Sequence, residues 1–148
     1  MKVKKVNMTQ IFIESGEAIP VTMVMPVETK GQTLSTDSQG LTFKEGDLVR
    51  VSGISKGKGF QGVVKRHGFK GGKRSHGQKH SEREAGSIGG GGRAGGRVVK
   101  GMRMAGRMGG EKVTVKNLEV VKVLPETKEI FIRGALPGRR GSLLEIKK

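Results

Sequence analysis

The 148-residue sequence predicts a mainly β fold interrupted by one long irregular segment. Three observations carry that expectation. Towards both ends of the chain, apolar residues recur with period 2 or in short runs closed by Gly and Pro, the pattern of half-buried strands joined by turns. No stretch sustains a 3.6-residue apolar period, so little helix is expected. The middle offers little to bury: residues 55–110 hold 14 of the 29 Lys and Arg, two acids and 18 of the 26 glycines.

Taken in order, "MTQIFIESG" alternates and stops at a Ser-Gly turn. "IPVTMVMP" places Val21, Met23 and Met25 on one face and closes at Pro26. Residues 29–42 are polar and predict no regular element. "EGDLVRVSG" is a short strand carrying Leu48, Val49 and Val51 between glycine stops. "GISKGKGFQGVVKRHGF" opens like a strand, with Phe60, Val63 and Val64, and then dissolves into glycine and cations. Beyond the middle, "EKVTVKNLEVVKVLP" reads as two strands or one bent strand. "KEIFIRGALPG" sets Ile130 and Ile132 opposite Phe131, and "GSLLEIKK" is a last strand. Residues 1–54 and 111–148 are therefore expected to build one barrel or sandwich, with 55–110 projecting from it. The entropic cost of closing the insertion grows only logarithmically with its length. A structureless loop this long is expected in a compact domain only when it has a function.

Composition narrows that function. The length suits one domain, and 33% apolar content with no Trp, no Tyr and five Phe allows a modest core. The formal charge is +16 and the pI about 10.6. Residues 55–110 account for +12 of it, the flanks for +4. A surplus of this size predicts a polyanionic partner, either nucleic acid or an anionic membrane surface. There is no cysteine for a disulfide or a thiolate metal site. No apolar run reaches membrane-spanning length, and residues 1–12 lack the apolar stretch of a secretory signal, so the cytosol is the expected location.

Glycine and arginine together have a specific use. Lys and Arg neutralise phosphates and release condensed counterions. Arg adds a planar fork that fits a phosphate bidentately and stacks on bases. Glycine lets the backbone come close to the ligand. A segment with both is expected to be disordered alone and ordered by its partner. Only Phe60 and Phe69 supply aromatic faces there, which favours a folded RNA over a sliding single strand. In "GMRMAGRMGG", Arg103 and Arg107 would face RNA while Met102, Met104 and Met108 either return to pack on the β domain or stay with the segment.

Other chemistries fail on spacing. "GISKGK" has three residues before its Gly-Lys pair instead of four, and neither Gly59 nor Phe60 after Lys58 is the Ser or Thr a phosphate loop needs. "GSIGGGG" lacks the βαβ setting of a dinucleotide fingerprint. His76 and His80 are four apart, but Gly77 disfavours the helix that would align them and no Cys or carboxylate completes a metal set. Ser81 beside His80 has no orienting acid. A nucleic-acid enzyme would need clustered carboxylates, whereas the acids are scattered through the flanks. The expectation is no enzyme, no cofactor and no metal. A free RNA chaperone with a mobile basic arm is the competing reading.

"GISKGKGFQGVVKRHGF", followed in order by "GSIG", "GRVVKGMRMAGRMG" and "KNLEVVKV", closely resembles the family of the third protein of the large ribosomal subunit. "VNMTQIF" and "IRGALPGRRGSLLEI" resemble that family's two terminal signatures. The resemblance implies a small closed β-barrel of the translation-protein type with a long Gly/Arg/Lys-rich extension. It implies a structural, non-enzymatic role in the cytoplasmic large subunit. The extension would reach through large-subunit rRNA towards the peptidyl transferase centre, and binding would come early in assembly. Partners would be that rRNA and neighbouring large-subunit proteins, with no membrane and no homo-oligomer. Carried over by position, Lys56, Lys58, Lys65, Arg66 and His67 would line the extension's base. Lys70, Lys73, Arg74, His76, Lys79, His80 and Arg83 would run along it, and Arg93 would lie near the tip with Gly86–Gly92. Arg97, Lys100, Arg103 and Arg107 would return along the rRNA. The sequence departs from the family pattern at Ala85, usually Pro, and at Glu82 and Glu84, usually basic or neutral. A glutamine that some bacterial relatives methylate is replaced within Gly90–Gly92, and a loop insertion is reduced to about residues 29–45.

Overall fold

The computed structural model describes residues 1–27, 43–90 and 96–148. The polar stretch 29–42 and Arg93 lie outside them. In chain order the elements are β1 (Lys2–Phe12), β2 (Ala18–Pro26), β3 (Leu48–Ile54), β4 (Gly59–Gln61), α1 (Val63–His67), β5 (Gly106–Met108), β6 (Lys112–Leu124), β7 (Glu129–Arg133) and β8 (Leu143–Lys147). The fold is mainly β, as the alternating runs require. Two compact units emerge: residues 1–56 with 110–148, and residues 57–109.

In the first unit six strands pair in the cyclic order β1-β2-β7-β6-β3-β8, with β8 returning to β1 through Lys2–Lys4 against Leu143–Glu145. Strands from before the insertion pair with strands from after it: β2 with β7, β3 with both β6 and β8. Inward positions are branched aliphatics in alternation. Val49 and Val51 of β3, Ile130 and Ile132 of β7, and Leu144 and Ile146 of β8 are all at most 2% exposed. Such burial contributes about 1.5–3 kcal/mol per side chain. Phe43 and Leu136, from connecting segments, join this core. The third inward position of β3 is Gly53, because a Cβ there would stand 2.3 Å from Leu144 Cδ2.

Four local expectations are revised or made specific. The first strand begins at Lys2, well before "MTQIFIESG", because Val3 and Leu144 face each other across the seam. On β2 Val21, Met23 and Met25 do share a face, but it is the opposite face, Thr22 and Val24, that pairs with Ile132 and Ile130 and sends Val24 into the core, while Val21 is buried and Met25 is 38% exposed. Val6 is an extra residue on the partner strand, between the pairs Lys5↔Val24 and Asn7↔Met23, and leaves the alternation of β2 itself unbroken. Thr22 is buried because its hydroxyl donates to Gly134 O at 2.6 Å. The "EKVTVKNLEVVKVLP" segment is one bent strand, with irregularities at Lys116–Asn117 and near Val121. Val63 and Val64 lie in a single helical turn, not a strand; one turn is too short to display a 3.6-residue period.

One inward position on β1 is Lys5, only 6% exposed. Its ammonium donates to Leu136 O at 2.7 Å and Gly138 O at 3.2 Å. Burial, followed by repulsion from Lys56, holds its pKa below the ordinary lysine value.

Candidate nucleic-acid interface

The second unit starts as a two-stranded ribbon. Strand β4 runs antiparallel to β5 with Phe60 opposite Arg107, and Lys58 N–H donates to Met108 O at 2.9 Å. Then α1 makes one turn: Arg66 N–H donates to Gly62 O at 2.9 Å, and Gly68, at φ 73°, ends it by donating to Val64 O at 3.0 Å. This turn carries Arg66 and His67 to the returning leg. The Arg66 Nη1 donates to Met104 O at 2.7 Å, and His67 Nε2 lies 3.0 Å from the same oxygen. Phe69 sits between the His67 ring, 6.0 Å away by centroids, and the Arg103 guanidinium, 5.3 Å from its ring centre. Two of the residues expected at the extension's base are thus half-buried and cross-brace its two legs.

Further along, Gly72 N–H donates to Ser81 O at 2.9 Å, drawing 71–72 against 81–82. Only glycine fits at 71, where φ is +75° and a Cβ would stand 1.8 Å from Glu82 O. Gln78 donates to the Ser81 hydroxyl. His76 and Gly77 have φ of 61° and 75°, so this is a turn and His76 and His80 share no helix face. Glu82 pairs with Arg74 at 3.2 Å, with both side chains well exposed, so the pair contributes little to stability but lowers the charge Arg74 presents.

The rest of the unit faces outward. Lys58, Lys65, Lys70, Lys73, Arg74, Lys79, Arg83, Arg97, Lys100, Arg103 and Arg107 are all exposed, as are His76, His80 and, at the end of the first unit's segment, Lys56. Val63 is the only buried hydrophobe among the described residues of 57–109. Met102 and Met108 are half-buried and Met104 is exposed, and all three belong to this unit. Exposed cations of this density are the chemistry that neutralises phosphates in a polyanion. Phe60, 76% exposed, is its most open aromatic. One basic feature lies outside the expected segment: the adjacent Arg139 and Arg140 of "PGRRGS", in the first unit. Two arginines between glycines were the available signal, but the far larger surplus at 55–110 masked it.

Comparison with known proteins identifies a family. Residues 1–134 match the family model described as ribosomal protein L3. The large ribosomal subunit protein uL3 of Streptococcus pyogenes serotype M1 is 41% identical over 197 aligned positions, covering 97% of this chain and 93% of the relative. The protein of the same name from Chlorobium limicola is 53% identical over 116 residues, covering 78% of this chain and 53% of the relative. The chain thus spans about half the length of the second relative and nearly all of the first. A family match over residues 1–134, together with a relative aligned along almost the whole chain, establishes that the protein belongs to the ribosomal protein L3 family.

Proposed function

We propose that the protein is a structural constituent of the large ribosomal subunit that binds large-subunit rRNA directly. In this reading residues 1–54 with 111–148 form a closed β-barrel of the translation-protein type that anchors it. Residues 55–110 are an extension threaded into rRNA towards the peptidyl transferase centre, engaged early in assembly. The protein acts in the cytoplasm beside other large-subunit proteins and catalyses nothing itself. One observation carries the reading: within residues 55–110, twelve of the thirteen described Lys and Arg are exposed, and Val63 is the only buried hydrophobe among the described residues. Such a unit gains most of its order and affinity from phosphates.

Two measurements test it. The protein should sediment with purified large subunits through a high-salt gradient, and its absence there would contradict the proposal. Binding to isolated large-subunit rRNA should weaken steeply with salt. If about 8 phosphates are engaged, the log–log slope is roughly −7, whereas a slope near −1 would contradict an embedded extension. A protein that binds RNA diffusely and never enters subunits would be a free RNA chaperone instead.

A further inference from the structure

The geometry points to a second RNA-backbone contact on the strand ring itself, made by Arg139, Arg140 and Lys4 around the loop 136–142. This inference rests on the reading that the protein binds large-subunit rRNA. It adds a site the 55–110 segment does not contain.

The loop is fixed before any ligand arrives, and its clasp is Lys5. The Lys5 backbone N–H donates to Ser142 O at 2.9 Å, and its carbonyl accepts from Gly141 N–H at 2.7 Å. Its buried ammonium donates to Leu136 O and Gly138 O. Within the loop, Ser142 N–H donates to Arg139 O at 3.2 Å. These contacts turn the carbonyls of 136 and 138 inward. The peptide joining Gly138 to Arg139 is trans, so its N–H points the opposite way from its carbonyl, away from Lys5. Among the described residues neither Arg139 N–H nor Arg140 N–H has a hydrogen-bond acceptor.

The side chains follow the same logic. Arg140 donates through Nε to Val6 O at 3.2 Å, which orients the guanidinium and leaves Nη1 and Nη2 without a partner among the described residues. Arg139 is exposed beside it. Lys4 joins them, with its Cε 3.9 Å from where a Cβ on Gly141 would stand. No carboxylate of the described residues pairs with Lys4, Arg139 or Arg140, although the first unit carries most of the chain's acids. Two planar forks, a lysine and unpartnered amides on a pre-set loop suit the oxygens of adjacent backbone phosphates. Arg makes that contact bidentately and loses little freedom when already oriented. Nothing in the loop reads a base, so the contact fixes position and carries no sequence preference.

The test is the salt dependence of full-length protein binding to isolated large-subunit rRNA. For the double variant Arg139→Gln with Arg140→Gln, the slope should become shallower by about 2. Arg139→Gln alone breaks no contact within the fold and should lower it by about 1. Lys116→Gln with Lys122→Gln removes two exposed charges elsewhere on the same unit and should leave the slope at the wild-type value. Unchanged slopes for both arginine variants would overturn the proposal. So would an equal loss in the Lys116/Lys122 control, which would make the effect one of net charge. A shallow slope for the wild type itself would remove the underlying rRNA-binding reading instead, so the two failures are distinguishable.

Discussion

At the scale of single residues, Lys5 shows what pattern reading cannot reach. In "KVKKV" it is one cation among several, and a lysine is almost never buried unless partnered. Its partners, two main-chain carbonyls, lie more than 130 positions away in sequence. Val49, Val51, Ile130 and Ile132 were legible because alternation alone assigns them inward. Replacing Lys5 with Met leaves the carbonyls of Leu136 and Gly138 buried without a donor, at about 1–3 kcal/mol. Urea denaturation should show that loss, and an unchanged midpoint would contradict the clasp. The pH dependence gives a second reading. Because burial lowers the folded pKa of Lys5 below 10.5, the unfolded chain binds more protons between the two values. The wild type's stability relative to Lys5→Met should therefore rise as pH climbs through that window. A falling difference would mean the ammonium is favoured by folding.

At the scale of elements, the turns and stops were visible and the register was not. "KNLEV" announced no break, yet Lys116 and Asn117 together face one residue of β3, because Val49 pairs with Leu118 and Val51 with Val115. The extra residue is absorbed at Asn117, whose φ is +57°. Asn tolerates that conformation and a β-branched residue does not. Asn117→Val should destabilise the protein by about 1–2 kcal/mol while Asn117→Gly stays near neutral. Thermal melting of the pair checks this, and equal melting temperatures would contradict a left-handed bulge. Alternation on β2 likewise grouped Val21, Met23 and Met25 on one face without saying which face meets the core. Val24 enters the core beside Ile130 while Met23 is half-buried, a choice set by the pairing with β7.

At the scale of the whole molecule, the uneven spread of charge and glycine was the most legible feature. Charge and glycine concentrate between 55 and 110, and the structure sets residues 57–109 apart as a unit in which Val63 is the only buried hydrophobe among the described residues. What composition could not show is that this unit has its own bracing. Arg66 and His67 bind Met104 O, Arg103 covers Phe69, and Gly71 and Gly72 lie against Ser81 and Glu82. These few exposed hydrogen bonds give the segment local shapes, but little apolar area supports them against the entropy of 53 residues. Hydrogen exchange of the full chain, alone and bound to large-subunit rRNA, tests this most directly. The paired strands of the ring should be protected in both states, while amides of 57–109 exchange fast in the free protein and become protected on RNA. Protection of 57–109 equal to that of the strands without RNA, or no gain with it, would contradict the account.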